Sequence, residues 1–90
     1  MRVKFFAYLR DYTGCPETEV ASAATIGDLA RILGERYGPK IRDKLLSADG
    51  ELGSEIILMI NGRHVAHLGG INAPLNSDDT VQIFPLVAGG

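Results

Sequence analysis

The chain has little of what several classes of protein require. Its 90 residues include one cysteine and no tryptophan, so an internal disulfide is impossible and a cysteine-based zinc site has too few ligands. No apolar run reaches the roughly 18 residues of a membrane-spanning helix. Nine Lys and Arg against eleven Asp and Glu give a net charge of -2, whereas nucleic-acid-binding domains normally carry a basic surplus. We therefore expect no membrane and no nucleic-acid partner.

The opening residues lack the apolar stretch of a signal peptide, because Met1 to Phe5 alternate between apolar and polar side chains. We therefore expect a cytoplasmic protein. Hydrophobic residues make up 46% and charged residues 22% of the chain, which is typical of a globular domain. Ninety residues leave room for one core only. We predict a single domain over residues 1–87, followed by a short tail.

Helical periodicity is confined to one long segment. The Thr25 hydroxyl is placed to cap the first turn, with Asp28 three residues later. Gly38 and Pro39 predict the end of this helix, and residues 40–46 suggest a further short helical turn. The apolar positions that repeat at helical spacing are Ile26, Leu29, Ala30, Leu33 and Tyr37.

The remaining segments predict strands at 2–9, 17–22, 56–60, 63–68 and 80–87. The continuous apolar run 56–60 predicts burial on both faces of its strand. Asn61-Gly62 predicts a type I′ hairpin turn, since both positions of that turn need positive φ. In the first strand, Val3, Phe5, Ala7 and Leu9 share one face, and in the last strand Val81 and Ile83 share one face; we infer that these two faces belong to the core. Strands plus one amphipathic helix on one face of the sheet predict an α+β fold.

The sequence ends in Gly89-Gly90, which suggests chemistry at a terminal carboxylate. Such a carboxylate is ionised at neutral pH, with a pKa of about 3.5, and it can attack the α-phosphate of ATP within an enzyme. Glycine tolerates the close backbone approach that a narrow channel imposes. Residues 87–90 extend at most about 13–14 Å, which is enough to enter a partner's site. The alternative is a frayed chain end without chemistry.

These features resemble the MoaD/ThiS family of ubiquitin-like sulfur carriers, and most of all the small subunit of molybdopterin synthase. The resemblance spans the whole chain, and it is most specific at the two ends. The matching segments are Val3-Lys4-Phe5-Phe6-Ala7-Tyr8-Leu9-Arg10-Asp11 with Gly14, Thr25-Ile26-Gly27-Asp28-Leu29, Ile60-Asn61-Gly62, Pro74-Leu75, Asp78-Asp79-Thr80-Val81 and Phe84-Pro85-Leu86-Val87-Ala88-Gly89-Gly90.

The resemblance implies a β-grasp fold, with a mixed sheet of about five strands, one main helix and a flexible tail at 88–90. An E1-like enzyme would adenylate Gly90 with ATP, and persulfide sulfur would convert the adenylate to a thiocarboxylate. The chain would dock, as part of a heterotetramer, on a MoaE-like large subunit that inserts sulfur into a cyclic pterin. That partner would supply the catalysis, because this chain offers no acid, base, metal or bound cofactor for the reaction.

The resemblance also implies the partner-binding residues. Phe6 and Phe84 lie opposite the inferred core faces, so neighbouring first and last strands would bring the two rings together on the outer face. If the face assignment were inverted, one of these rings would belong to the core instead. A third contact aligns with His64, where the family more often has an aliphatic residue. The tail would bind through Pro85, Leu86, Val87 and Ala88, with Gly89 threading the channel.

Three other features receive structural interpretations. Cys15 has no base nearby in sequence to form a thiolate, so we interpret it as structural. His64 and His67 are three apart on a predicted strand and should point to opposite faces, which argues against a shared metal. The basic run Arg36, Lys40, Arg42 and Lys44 is interrupted by Asp43 and predicts a solvated face.

Three other functions compete with sulfur transfer to a pterin. A ubiquitin-like modifier would use the same Gly90 adenylate to join a lysine of another protein. A thiamine-pathway carrier is less consistent with the Phe5-Phe6-Ala7 start and with the chain length. A plain interaction module would not depend on Gly90.

Overall fold

The computed structural model describes residues 1–86, and our predictions for Val87, Ala88, Gly89 and Gly90 lie outside them. The described part contains five strands, three helices and two 3-10 turns. The strands are β1 (Arg2–Phe5), β2 (Glu17–Glu19), β3 (Ile56–Ile60), β4 (Arg63–His64) and β5 (Thr80–Pro85). The helices are α1 (Leu9–Thr13), α2 (Ile26–Tyr37) and α3 (Pro39–Leu45), and the 3-10 turns are Val65–His67 and Gly70–Asn72.

The five strands form one mixed sheet in the order β2-β1-β5-β3-β4. Strands β1 and β5 are parallel, with Val3 opposite Val81. The other neighbours are antiparallel. A β-hairpin, a crossing helix and a last strand inserted beside the first define the β-grasp fold, so the fold expected from the resemblance is confirmed.

The core lies between the inner face of the sheet and the helices. Val3, Phe5, Val81 and Ile83 are almost completely buried, which confirms the predicted faces of β1 and β5. From α2, the buried apolar side chains are Ile26, Leu29, Ala30 and Leu33. The opposite face of the sheet, which we call the outer face, carries the alternate residues of the same strands.

The signals at the ends of α2 are confirmed. The Thr25 hydroxyl accepts a hydrogen bond from the Asp28 N–H at 3.3 Å, as the capping pattern predicts. Gly38 ends the helix with a φ of 97°, and α3 begins directly afterwards. The two helices pack closely, since a Cβ added at Gly34 would lie 2.9 Å from the Cβ of Arg42.

The first strand is shorter than we predicted. It ends at Phe5 rather than at residue 9, because Ala7 adopts a φ of 54° and turns the chain into α1. Alanine in this left-handed region costs about 1–2 kcal/mol. Leu9 is buried as predicted, but from helix α1 and not from the strand. Alternation of apolar residues could not show this change, because both structures bury Leu9.

Two predictions for the second hairpin are wrong. Strand β3 is buried on one face only, since Ile57 and Met59 are half-buried, and the single helical layer covers only the inner face. The returning arm pairs only over Arg63–His64 before the 3-10 turn Val65–His67. The turn between the arms is as predicted, because Asn61 has a φ of 52° and Gly62 a φ of 84°.

Among residues 1–86, no helix has the length and apolar character that crossing a membrane requires.

Candidate functional site

Two aromatic rings meet on the outer face, where β1 and β5 end. The strands are parallel neighbours, so their last residues lie at the same end of the sheet, and the Phe6 N–H donates to the Ile83 carbonyl at 3.1 Å. The rings of Phe6 and Phe84 are stacked, with centroids 4.3 Å apart and planes inclined by 14°. Such a pair contributes about 0.5–1.5 kcal/mol beyond its burial. The structure thus brings together two residues that the sequence placed on one face.

The apolar surface around the stack extends onto β3. Ile57 lies opposite Phe84, and Met59 lies opposite Gln82, so both side chains point to the outer face. Sequence reasoning missed Ile57 and Met59 because we interpreted their strand as buried on both faces. The available signal was that the sequence offers one long amphipathic helix, which can cover one face of a sheet and leaves the other open.

His64 lies at the far side of this surface. It pairs with Met59 across β3 and β4 and is half-buried. Its Nδ1 accepts a hydrogen bond from the Ala66 N–H at 3.0 Å, which caps the following 3-10 turn. We call the group formed by Phe6, Ile57, Met59, His64 and Phe84 the outer patch.

The prediction that His64 and His67 point to opposite faces is wrong. Their ring centroids lie 6.0 Å apart, because the chain leaves the strand after His64 and coils into a 3-10 turn. A pair of histidines alone makes a poor metal site, and within residues 1–86 no three His, Cys, Asp or Glu side chains come together as ligands would.

The chain leaves the sheet beside the outer patch. The Leu86 N–H donates to the Glu55 carbonyl at 2.8 Å, which continues the β5–β3 ladder beyond Pro85. The Leu86 side chain is 46% exposed and is the most exposed large apolar residue of the described chain. Leu86 is thus the last described residue before the segment 87–90, whose predicted roles lie outside the described residues.

Pro85 lies at the end of β5, beyond the last pair of residues that joins this strand to β1. The Ile83 carbonyl accepts from Phe6, so Ile83 and, two residues later, Pro85 direct their backbone groups towards β1. Strand β1 has already ended there, since the chain turns at Ala7. Proline has no N–H to donate, so the ladder between β1 and β5 ends with the bond from Phe6 to Ile83.

An ion pair between α3 and the residue before β3 lies near the point where the chain leaves the sheet. The Lys44 ammonium donates to the Glu55 carboxylate at 2.8 Å. This hydrogen bond raises the pKa of Lys44 above its ordinary value of 10.5 and lowers that of Glu55 below 4.5. Lys44 also lies 5.5 Å above the Tyr8 ring. Lys40 lies equally far above Tyr12, so two lysines of the basic run rest on aromatic rings at the start of α1 and within it.

Cys15 is half-buried beside α2. Its Sγ lies 3.4 Å from the hydroxyl oxygen of Tyr37, and the Tyr37 ring packs edge-on against Phe5. The position therefore agrees with the structural interpretation of this cysteine.

The comparisons with known proteins agree with this geometry. Residues 3–90 match the model of the ThiS family. The chain is 36% identical over 92 residues to small archaeal modifier protein 3 of Haloferax volcanii, covering 100% of this chain and 98% of the relative.

Two solved structures resemble the whole chain. The small archaeal modifier protein 1 of Methanosarcina acetivorans has a TM-score of 0.85 at 32% identity, covering 99% of this chain and 94% of that one. A chain of the BexX/CysO complex of Amycolatopsis orientalis has a TM-score of 0.85 at 30% identity, covering 99% and 98%.

Proposed function

Because the chain belongs to the ThiS family of ubiquitin-like sulfur carriers, we propose that it carries sulfur on the terminal carboxylate of Gly90. An E1-like enzyme would use ATP to form the Gly90 acyl-adenylate and release pyrophosphate. The terminal sulfur of a protein persulfide would attack the acyl carbon and displace AMP. A thiol would then cleave the resulting acyl disulfide, leaving the Gly90 thiocarboxylate and a protein disulfide. ATP is the activating enzyme's substrate, and this chain would hold no cofactor.

The observation that carries this proposal is the position of the outer patch beside the chain exit. Half-buried aromatic and aliphatic side chains offer the centre of an interface, where a few aromatic anchors commonly dominate the binding free energy. From Leu86, four further residues extend at most about 13–14 Å. A partner that binds the outer patch can therefore receive Gly90 in a site at that distance, with Gly89 and Ala88 threading towards it.

We propose a cyclic pterin precursor as the sulfur acceptor, with the reaction catalysed by a MoaE-like large subunit in a heterotetramer. The support is the sequence resemblance, which is strongest at the first strand and at the Phe84-Pro85 ending. The same outer patch would serve the E1-like enzyme and the large subunit in turn, because both must receive the Gly90 end. On this proposal the carrier alternates between partners and has no active site of its own.

A second candidate function is protein modification. It is favoured by the likeness to small archaeal modifier proteins 1 and 3. The two functions share the Gly90 adenylate and differ in the nucleophile that consumes it, which is a persulfide in one case and a lysine amine in the other.

Intact-mass measurement separates these outcomes. The chain is incubated with ATP, a persulfide donor and the E1-like enzyme encoded by the same genome. Sulfur transfer predicts a mass gain equal to the exchange of one oxygen for sulfur, located on Gly90. Modification predicts Gly89-Gly90 remnants on lysines of other proteins. A chain that lacks Gly90 should undergo neither reaction. Activity that survives this deletion would refute both functions.

A further inference from the structure

Arg10 is held on top of the aromatic stack. Its guanidinium carbon lies 5.8 Å from the centroid of the Phe6 ring. Its Nε donates to the Phe5 carbonyl at 3.0 Å. These two contacts fix the side chain from α1 above the edge of the outer patch. They use one N–H and one face of the guanidinium, so the donors on both Nη atoms remain available to another group.

The positive charge of Arg10 is not neutralised within the described chain. Residues 1–86 include no carboxylate in an ion pair with Arg10, although Asp11 is its neighbour in sequence. Arg31, in contrast, pairs with Asp28 one helical turn away. A guanidinium that is positioned by neutral groups and lacks a carboxylate has the geometry of a receptor for one.

A second cation lies on the same face. Lys4 precedes Phe6 by two residues, so its side chain also points outward from β1, and it forms no ion pair within residues 1–86. Of the acidic residues on the neighbouring β2, Glu17 and Glu19 both pair with Arg2. Lys4 lies opposite Glu17 in the register of β1 and β2, so these two charges balance across the strands. The unbalanced positive charge at the border of the outer patch near Phe6 is therefore that of Arg10, although the chain as a whole has a net charge of -2.

We propose that Arg10 is a specificity-determining residue that receives an Asp or Glu carboxylate of the protein partner docked on the outer patch. The inference rests on the proposed function and adds the chemistry of the partner's surface, which would be an apolar centre bordered by a carboxylate opposite Arg10. The planar guanidinium offers paired N–H donors to both oxygens of that carboxylate. Because Phe6 and the Phe5 carbonyl already hold the side chain, little rotamer freedom is lost on binding.

The variants that test this inference change Arg10 stepwise. Arg10→Lys keeps the charge but removes the paired donors, Arg10→Gln removes the charge, and Arg10→Glu reverses it. Arg31→Gln is the matched control, because it removes an exposed arginine of α2, on the helical side of the sheet. Thermal unfolding of each variant reports whether the fold survives, and Arg10→Lys remains informative should Arg10→Gln be unstable.

The measurement is ATP–pyrophosphate exchange by the E1-like enzyme of the same genome, with the carrier as the varied substrate. We expect Arg10→Gln to raise KM at least about tenfold, the loss typical of a hydrogen-bonded charge, with kcat changed less than about twofold. The KM of Arg10→Lys should lie between those of Arg10→Gln and the wild type, and Arg10→Glu should have the highest KM. Salt should weaken the wild type more than Arg10→Gln, because steering by opposite charges is screened.

Equal KM values for the wild type, Arg10→Gln and Arg10→Glu would overturn this inference while leaving the proposed function in place. A fall in kcat without a change in KM would also overturn it, because docking would then be unaffected. Failure of the wild-type chain to support exchange at all would overturn the proposed function, and the inference with it. Capture of a single-stranded RNA by the wild type, lost in Arg10→Gln, would assign Arg10 to phosphate and likewise overturn the inference.

Discussion

Removing either ring of the Phe6–Phe84 stack should weaken both the fold and partner binding, and removing both should cost less than the sum of the two losses. The stack joins the end of the first strand to the last strand, close to the point where the chain leaves the sheet. A double-mutant cycle with Phe6→Ala, Phe84→Ala and the double variant isolates the free energy of the ring–ring contact from other effects of each truncation.

The expected coupling follows from the geometry. A buried aromatic side chain covers about 150–250 Å², and with centroids 4.3 Å apart each ring shields roughly a quarter of the other. That area, about 40–60 Å², corresponds to about 1–1.5 kcal/mol at about 25 cal/mol per Å². Aromatic pairs give about 0.5–1.5 kcal/mol in such cycles. We therefore expect a coupling of about 1 kcal/mol in the free energy of unfolding.

Urea denaturation of the wild type, the two single variants and the double variant measures this coupling. Gln82→Ala is the control, because Gln82 lies on the same face of β5 as Phe84 and its replacement should change the free energy of unfolding little. A coupling indistinguishable from zero would show that the rings do not stack in solution. Binding to the E1-like enzyme supplies the second readout, in which Phe84→Ala should lose more than about 1 kcal/mol as a hot-spot residue. Unchanged affinity would remove Phe84 from the interface.

Three further predictions concern the frame around the chain exit. Gly53→Ala should lower the free energy of unfolding by more than about 2 kcal/mol in urea denaturation, because the new Cβ would overlap the Lys44 carbonyl oxygen; Ser54→Ala, at an exposed neighbour, should have almost no effect, and equal stabilities would contradict the packing. Pro85→Val should return an N–H to β5 beyond the end of β1 and promote dimers in sedimentation analysis as concentration rises, and a strictly monomeric variant would contradict this prediction. In NMR titrations, Lys44→Gln should move the pKa of Glu55 back up towards 4.5. The stabilisation from this pair should be present above pH 4.5 and fade as pH falls through the lowered pKa of Glu55, and fade again as pH rises above 10.5 through the raised pKa of Lys44; an unshifted Glu55 would mean that the ion pair is absent.

Local signals in the sequence determined the elements whose stability is local. The Thr25 cap, the Gly38 stop and the Asn61-Gly62 turn each depend on backbone conformations and hydrogen bonds within a few residues, so they were readable without the fold. The alternation in β1 and β5 likewise separated the core faces, and with the resemblance it led to the β-grasp arrangement.

Only the tertiary structure decided which surfaces remain open and which side chains meet on them. Whether Ile57 and Met59 are covered depends on how many helical layers pack on the sheet, which the apolar run itself does not encode. Packing elsewhere in the fold offsets the conformational cost of the positive φ at Ala7. No local sequence pattern therefore predicted the end of β1 or the helix that carries Arg10. The contact of Arg10 with Phe6 arises from that turn. The absence of a β1 residue paired with Pro85 depends also on the register of β1 and β5, which are far apart in the chain.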